Sequence, residues 1–387
     1  MEIYFDNNAT TMIDPVVARR MADLHDQRLA NPASQHAAGR RALQVLEEAT
    51  ETILQMVDAP PSSRVVYTSG GTEANNLAIM GTFRSRPGMI FLGGVEHPSV
   101  VEAATAVAGS ENVRLLPVDE HGQCDLDTLE RWFRQVAGNN QRVSLVSVMR
   151  GNNETGILQD LRPIAELCQR YDTPFHSDVI QVVGKIPFSM ADAGLNAISI
   201  TAHKIHGPIG IGALILDGSM SPTPLLVGGG QQLGLRPGTI PVVLAAALAE
   251  TLRQICADRD EGVFDRLQTL RDVFERRVGQ IATTYVIGQD APRLPHTSNI
   301  AFLGLDRQAL HMALDLNGLA CSTGSACASG SARPSPVLTA MGLPPEVVSG
   351  SLRFSLSRFT QEDEVDRALE IIARAVEKAS ARPTLHG

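Results

Sequence analysis

Short, continuously apolar runs alternate with helix-length segments between residues 64 and 216, and this alternation is the feature that most constrains the fold. Most runs carry apolar side chains at successive positions rather than at every second one. A strand of that kind is buried on both faces, which is typical of a mostly parallel sheet covered by helices. The predicted strands are Arg64–Thr68, Met89–Leu92, Val113–Val118, Val143–Val148, Pro174–Ser177, Ala197–Thr201 and Gly212–Leu216. The sequence therefore predicts an α/β domain with a mainly parallel sheet.

The pattern changes near residue 257, where the helical segment Pro241–Ala257 gives way to the charged run Asp258–Gly262. Beyond it we predict the helix Val263–Gly279, the strand Asn299–Phe302, the helix Arg307–Asn317, the strand Arg353–Leu356 and a last helix. Thr360 and Asp363 have the spacing of a capping box at the start of that last helix. We therefore expect a large α/β domain at residues 13–257 and a smaller α+β domain formed by residues 1–12 and 258–387.

Composition excludes several classes of protein. The 387 residues suggest about two domains, and the net charge of -9 argues against binding nucleic acid by neutralising phosphates. The chain has no apolar run of the ~18 residues that a membrane span requires, and its first residues resemble no signal or transit segment, so we expect a cytoplasmic protein. Five cysteines, an odd and sparse set with no CxxC pair, indicate reduced thiols and no metal site.

A glycine-rich turn follows the first predicted strand, in the stretch Thr68–Leu77. Gly70, Gly71 and Thr72 would present backbone N–H groups at the start of a helix, a place that suits a single phosphate. The spacing fits neither the Walker pattern nor the dinucleotide fingerprint. Taken alone, the two glycines are equally compatible with an ordinary tight turn.

Two further strand ends carry groups that suit chemistry with a carbonyl cofactor. Asp178 closes one strand, where it could pair with a pyridinium nitrogen or simply cap the next helix. Lys204 follows the next strand, and lysine occurs elsewhere only at Lys185 and Lys378 among 33 Lys plus Arg. A surface charge can be either residue, but an amine that condenses with a carbonyl must be lysine.

Imidazole and amide groups occur at two more strand ends, in Glu96–Pro98 and in Asn152–Gly156. Each is compatible with a turn when taken alone. Together the strand ends carry a glycine-threonine pair, an imidazole, amides, a carboxylate and an amine. The formation of turns alone does not explain why so many different functional groups occur there. Strand ends of a parallel sheet open into one crevice, so we expect a single site there.

These motifs carry a resemblance to a known family. The chain resembles pyridoxal-phosphate enzymes of the aspartate-aminotransferase fold type, and within them the cysteine desulfurases of the NifS/IscS group. The matching motifs run from Tyr4–Thr11 to Arg353–Thr360, which is nearly the whole chain. The resemblance implies the PLP-dependent transferase fold type I, with a seven-stranded sheet in the large domain. It also implies removal of sulfur from L-cysteine, with release of L-alanine.

The resemblance assigns residues to the cofactor, pyridoxal 5'-phosphate. Lys204 would carry it covalently, Asp178 would pair with the ring nitrogen, His97 would stack on the ring, and Gln181 would bind its phenolic oxygen. The residues expected at the phosphate are Gly71, Thr72, Thr201, His203 and, from the second chain of a homodimer, Thr239 of the partner subunit.

For the substrate, the resemblance assigns the amino-acid carboxylate to Arg353 and Asn153. The nucleophile would be Cys327, within the small-residue run Cys321–Ser331, which we expect to form a mobile loop. His97 is a candidate proton carrier. A persulfide on Cys327 would pass its sulfur to an acceptor protein such as an iron–sulfur scaffold, or serve tRNA thiolation.

Some features depart from the family pattern, and alternatives stay open. The family more often has a small residue at Cys321, which is either a buried thiol at a strand end or a second carrier of sulfur. Arg333 stands where the family usually has glutamate, which affects the loop or acceptor docking. Alternative functions are a selenocysteine lyase, another PLP aminotransferase or β-lyase, and a non-catalytic partner in sulfur assembly.

Overall fold

The computed structural model describes residues 2–324 and 334–380, apart from the side chain of Ser380. Its strands are β1 (Ile3–Tyr4), β2 (Arg64–Thr68), β3 (Met89–Gly93), β4 (Val113–Leu116), β5 (Val143–Ser147), β6 (Phe175–Asp178), β7 (Ala197–Thr201), β8 (Gly212–Leu216), β9 (Thr284–Val286), β10 (Thr297–Phe302), β11 (Leu319–Ala320) and β12 (Ser351–Ser355). Each predicted strand is present, with its ends moved by at most a few residues.

Strands β2 to β8 form one seven-stranded sheet in the order β2-β8-β7-β6-β5-β3-β4. Strand β8 runs antiparallel to β2 and β7, whereas the pairs β4-β3, β3-β5, β5-β6 and β6-β7 are parallel. Strands β3, β5, β6, β7 and β8 are buried at every position, as expected for strands with helices on both faces. The predicted mainly parallel α/β fold is confirmed.

The helices are α1 (Pro15–Asp26), α2 (Ala37–Met56), α3 (Gly71–Asn76), α4 (Thr82–Ser85), α5 (Pro98–Ala108), α6 (Leu126–Gly138), α7 (Arg162–Arg170), α8 (Val242–Asp260), α9 (Val263–Ile281), α10 (Arg307–Leu316), α11 (Pro336–Ala340), α12 (Pro345–Gly350) and α13 (Glu362–Ser380). A π-helical turn, Leu77–Gly81, joins α3 to α4. Helix α8 packs against α1 and α2. Within residues 2–324 and 334–380, no helix combines the length and the apolar character needed to cross a membrane.

The remaining strands form two small sheets from the ends of the chain. Strand β10 pairs antiparallel with both β9 and β12, and β1 pairs parallel with β11. The first residues therefore pack with the C-terminal part of the chain. Helix α8 continues to Asp260, beyond the boundary placed at 257, and the division into two domains stays a prediction.

The start of α13 differs from the predicted capping box. The Thr360 hydroxyl accepts from the Ser357 N–H at 2.9 Å, so it closes the preceding turn instead of capping the helix. In a capping box, the side chain of the third helical residue accepts from the N–H of the capping residue. Here Gln361 and Glu364 make that contact, with the Glu364 carboxylate accepting from the Gln361 N–H at 3.0 Å. The motif is displaced by one residue because the turn at Ser357 engages the threonine first.

Candidate active site

Lys204 lies just past the end of β7, in a 3₁₀ turn formed by Ala202–Lys204. Its Nζ donates to the backbone carbonyls of Asn8 at 2.7 Å and Ala9 at 2.5 Å. The N-terminal segment is fixed alongside this turn, because the Thr11 N–H donates to the His203 carbonyl at 2.8 Å. The amine therefore sits at the edge of the sheet, facing backbone acceptors.

Asp178 ends β6, the neighbouring strand, and its carboxylate is buried. Its Oδ2 accepts from Asn75 Nδ2 at 2.8 Å, and its Oδ1 accepts from the Ile180 N–H at 3.0 Å. Burial raises the pKa of Asp178, although the bonds from Asn75 and Ile180 and the charges of His97 and Lys204 act in the opposite direction. Asp178 thus accepts a hydrogen bond within its own turn. It also presents a buried carboxyl group, and a positive charge nearby, such as that of Lys204, stabilises its anionic form.

His97 forms the N-cap of α5 and sits beside the same carboxylate. Its Nδ1 accepts from the Ser99 N–H at 3.1 Å, so the neutral ring carries its proton on Nε2. Asn75 Nδ2 also donates to Ser99 Oγ at 2.9 Å, which links the imidazole to Asp178. Burial, with the charge of Lys204, lowers the pKa of His97 despite the opposing effect of Asp178. The ring is therefore neutral near pH 7.

The opposite end of the site is built around the start of α3 at Gly71. A Cβ at Gly71 would overlap the end of the Ile180 side chain, so a larger residue there would force that side chain to move. The Thr201 hydroxyl lies near Gly70 and donates to the Ile211 carbonyl at 3.0 Å, and it must rotate to donate to a phosphate. Burial, with the charges of Lys204 and Lys185, lowers the pKa of His203 to about 4, which leaves a neutral ring.

The third part of the site holds an arginine in a buried position. The Arg353 Nη2 donates to Asp6 Oδ1 at 2.6 Å, and its Nη1 donates to the Asn153 carbonyl at 3.0 Å. Its Nε has no partner among the described residues. Asn153 sits in a tight turn that closes at Gly156, whose φ of +77° and contact with Thr297 exclude a larger residue. A carboxylate could be bound between this arginine and the asparagine.

These groups line one cleft of about 360 Å³. The predicted site residues that the structure brings together there are Gly71, Thr72, His97, Asn153, Asp178, Gln181, Thr201, His203, Lys204 and Arg353. Thr239 is exposed and does not line the cleft of its own chain. Cys327 and Arg333 lie outside the described residues, but Gly324 and Pro336, on either side of that segment, both line the cleft.

Sequence reasoning missed several residues that hold the others in place. Asn75 positions Asp178, Asp6 positions Arg353, and Asn8 supplies a carbonyl to Lys204. All three lie in motifs that carried the resemblance, Tyr4–Thr11 and Thr68–Leu77. These residues contact other site residues that are distant in the sequence. Such tertiary contacts cannot be read from the local sequence.

The cleft fits pyridoxal phosphate. An amine for the aldehyde, a buried carboxyl group for the ring nitrogen and a helix N-terminus for the phosphate are arranged around the same cavity. The unpartnered Nε of Arg353 leaves a donor for the carboxylate of an amino acid. Among the described residues, no group of His, Cys, Asp or Glu side chains is arranged to hold a metal ion.

The described cysteines are free thiols. Burial raises the pKa of Cys321, the Asp6 carboxylate adds to this effect, and Arg353 opposes it. Burial likewise raises the pKa of Cys168, and it raises that of Cys124 to about 12. Because the thiolate is the reactive form, the raised pKa values disfavour reaction of these thiols at neutral pH. Cys321 matches the interpretation as a buried thiol at a strand end.

The chain is similar to proteins of one family over its full length. A cysteine desulfurase of Sinorhizobium fredii is 34% identical over 393 aligned residues, covering 100% of this chain and 99% of that protein. The structure is similar to that of a NifS-like protein from Rickettsia africae, with a TM-score of 0.87 and 30% identity, covering 97% of this chain and 100% of the other. It is also similar to SspA in complex with cysteine, with a TM-score of 0.79 and 27% identity over 93% and 100% of the two chains.

The family model of aminotransferase class-V matches residues 3–368. The resemblance seen in the sequence is confirmed, and so is the fold type. The chain belongs to the class-V aminotransferase family, whose members are pyridoxal-phosphate enzymes.

Proposed function

We propose that the chain is a cysteine desulfurase, which removes the sulfur of L-cysteine, releases L-alanine and keeps the sulfur as a persulfide on Cys327. One observation carries the proposal: an amine, a buried carboxyl group, an imidazole and a buried arginine line the same cleft as both flanks of the Cys327 segment. The name of the curated relative and the cysteine bound to SspA support the same substrate.

Lys204, at the end of β7, would hold the cofactor covalently. Asp178, at the end of β6, would keep the ring nitrogen protonated, and Gln181 would donate to the phenolic oxygen. The phosphate would be held by Gly71, Thr72, Thr201 and His203. When bound, pyridoxal phosphate supplies the electron sink that lets the carbon–sulfur bond of the substrate break.

Arg353 and Asn153 hold the substrate through its carboxylate. The planar guanidinium can bind a carboxylate with two hydrogen bonds, and its position is fixed by Asp6. His97 holds a proton on Nε2 beside the cleft and is placed to exchange it with the substrate. The Lys204 amine would serve as the base that moves the α-proton of the substrate.

Cys327 receives the sulfur. Cys327 follows Gly324, which lines the cleft, by three residues, a length of at most ~10 Å for extended chain. The Cys327 thiolate attacks the sulfur of the substrate, the bond from that sulfur to Cβ breaks, and Cβ takes a proton. One cysteine and one thiol thus give one alanine and one persulfide, with no external oxidant. An acceptor protein, such as an iron–sulfur scaffold, then takes the outer sulfur atom.

The site is shared between two chains in this proposal, with Thr239 of the partner subunit at the phosphate. Large apolar side chains are exposed on segments next to the cofactor-binding residues, which supports a homodimer. Their exposed fractions are 69% for Met12, 75% for Ile209, 78% for Leu233 and 97% for Val227. Thr239 lies six residues beyond Leu233 and is exposed as well.

The test is peptide mass spectrometry of the protein loaded with pyridoxal phosphate and exposed to L-cysteine without reductant. We expect the Cys327 peptide to gain one sulfur atom, which a thiol removes, and L-alanine to be released. The Cys321→Ser variant should behave like the wild type because that thiol is buried and protonated. The Cys327→Ser variant should release no alanine.

Other outcomes would favour the alternative functions. If Cys327→Ser still converts amino acids at the wild-type rate, the chain is a different enzyme with the same cofactor. Alanine release from L-selenocysteine but not from L-cysteine, independent of Cys327, would identify a selenocysteine lyase. A chain that binds the cofactor yet turns over none of these substrates would be a non-catalytic partner.

A further inference from the structure

Lys185 is one of three lysines in the chain and is buried behind the cleft without lining it. Its Nζ lies 3.1 Å from Gln181 Oε1 and 3.3 Å from His296 Nε2. Among the described residues, no carboxylate lies within ion-pair distance of this Nζ. A buried lysine without a counter-ion is costly, and its position directly behind a cofactor ligand calls for a physical reason.

The hydrogen bonds around Gln181 permit only one orientation of its amide. Lys185 has no acceptor atom in its ammonium form, so the Gln181 oxygen must face Nζ. The Gln181 Nε2 donates to the Asn8 carbonyl at 3.1 Å, the same carbonyl that accepts from Lys204. One of its two N–H groups is thereby engaged, and the other remains for the cleft that Gln181 lines.

The contact between Lys185 and His296 does not compete with the hydrogen bond from Lys185 to Gln181. Both donors of the Asn8 side chain are engaged, by the Asn153 carbonyl at 3.1 Å and by Thr297 Oγ1 at 2.9 Å. Asn8 Oδ1 therefore accepts from His296 Nε2 at 2.9 Å, and that nitrogen carries the ring proton. It cannot accept a bond from Lys185, so Gln181 Oε1 is the acceptor for this lysine.

Lysine suits this position better than arginine. The pocket offers Nζ one acceptor, whereas a guanidinium would bring five N–H groups and leave most of them unpaired. Burial, with the charge of Lys204, lowers the pKa of Lys185 to about 7. Both forms of the group, ammonium and amine, can donate to Gln181. The contact therefore persists whichever form is present.

We propose that Lys185 is a positioning residue, which acts through Gln181 to aim an amide N–H at the phenolic oxygen of the bound cofactor. The inference rests on the proposed function only for the identity of that cofactor. A donor at the phenolic oxygen favours its anionic form. The buried charge behind Gln181 acts in the same direction.

The test uses the cofactor-loaded Lys185→Met variant, without substrate. We expect the midpoint pH of the absorbance change of the bound cofactor to rise by about one unit, because a cation and a donor are lost together. Pyridoxal phosphate should bind about tenfold more weakly. The titratable groups around Lys185 are Lys204, His203, His206 and His296, and they stay in place. Lys378→Met, an exposed lysine on α13, is the matched control.

A double-mutant cycle separates positioning from a purely structural role. If Lys185 acts through Gln181, adding Lys185→Met to Gln181→Ala produces almost no further shift in midpoint or affinity. Additive effects, or a Lys185→Met midpoint equal to that of Lys378→Met, would overturn the proposal.

If Lys185→Met does not fold, two other variants replace it. Lys185→Gln, which keeps an uncharged donor, is compared with Lys185→Leu, which has none. The proposal requires the glutamine variant to bind the cofactor more tightly. None of these readouts uses cysteine, so they remain valid if the desulfurase activity is absent.

Discussion

At the scale of single residues, Arg353 is a buried cation that neighbouring residues hold in one position. Its side chain is 2% exposed, yet one of its nitrogens has no partner among the described residues. Asp6 accepts from one end of the guanidinium, and the Asn153 and Gly324 carbonyls lie at the other. The group is therefore held rigidly before any substrate arrives, which lowers the entropic cost of binding.

The substitution Arg353→Lys should weaken the binding of L-cysteine while leaving the cofactor in place. Lysine keeps the charge but loses the fork that binds a carboxylate with two hydrogen bonds. We expect KM for L-cysteine to rise by about 10- to 100-fold, which corresponds to about 1.4–2.7 kcal/mol. The absorbance spectrum of the bound cofactor should be unchanged. A wild-type KM, measured by alanine release, would show that Arg353 does not bind the substrate.

The sequence predicts the residues proposed to contact ligands better than those that hold them. Lys204 and Asp178 are visible because their chemistry is specific and because strand ends converge, whereas Arg353, in the middle of β12, is identified through the resemblance to the family. The partners of Lys204 include the backbone carbonyls of Asn8 and Ala9, and every residue in a chain has such a carbonyl. Only the fold shows which carbonyl is near. Asn75 is similar, because its role depends on the close approach of α3 to β6.

At the scale of secondary structure, the buried strands are the elements that the sequence predicts best. Strands β2, β7 and β8 have the predicted bounds because each is a short run rich in apolar and β-branched residues between turns. The two-residue strands β1 and β11 are too short to leave a periodic pattern, and they pair across more than 300 residues. Their existence depends on tertiary packing that the local sequence does not encode.

The start of α3 gives a prediction at this scale. Because a Cβ at Gly71 would overlap the Ile180 side chain, Gly71→Ala should push Ile180 into the cleft and displace the phosphate. We expect pyridoxal phosphate to bind about tenfold more weakly, a loss of about 1.4 kcal/mol. Binding is measured by titrating the apoprotein and following the cofactor absorbance.

The Ile180→Ala substitution provides the control for Gly71→Ala. It removes the atoms that the new methyl group would meet, so the double variant should recover most of the lost affinity. A double variant that binds as weakly as Gly71→Ala would mean that the helix start itself is damaged. Unchanged binding by Gly71→Ala alone would contradict the predicted displacement.

At the scale of the whole molecule, the N-terminal segment connects the two parts of the chain. Ile3 pairs with Leu319, and Asp6 forms a bridge with Ser355 in the C-terminal part. A few residues later the Thr11 N–H donates to the backbone carbonyl of His203, next to Lys204. The same short segment therefore contributes to both small sheets and to the cleft, which is why its assignment to the smaller domain remains a prediction.

The proposed homodimer leads to a prediction that depends on which chain supplies Thr239. Thr239→Ala and Lys204→Ala homodimers should each lack a complete site, the first binding pyridoxal phosphate weakly and the second not covalently. If Thr239 of the partner subunit reaches the phosphate, a mixed dimer of the two variants has one site with both residues and one with neither. Half of its sites should then bind the cofactor covalently with wild-type affinity, measured by absorbance titration of the purified mixed dimer.

If Thr239 instead acts within its own chain, each site of the mixed dimer lacks one residue and no site regains wild-type affinity. A chain that remains monomeric in light scattering at the concentrations of the assay would remove the basis for either result, and the exposed apolar side chains of Ile209 and Val227 would then need another partner.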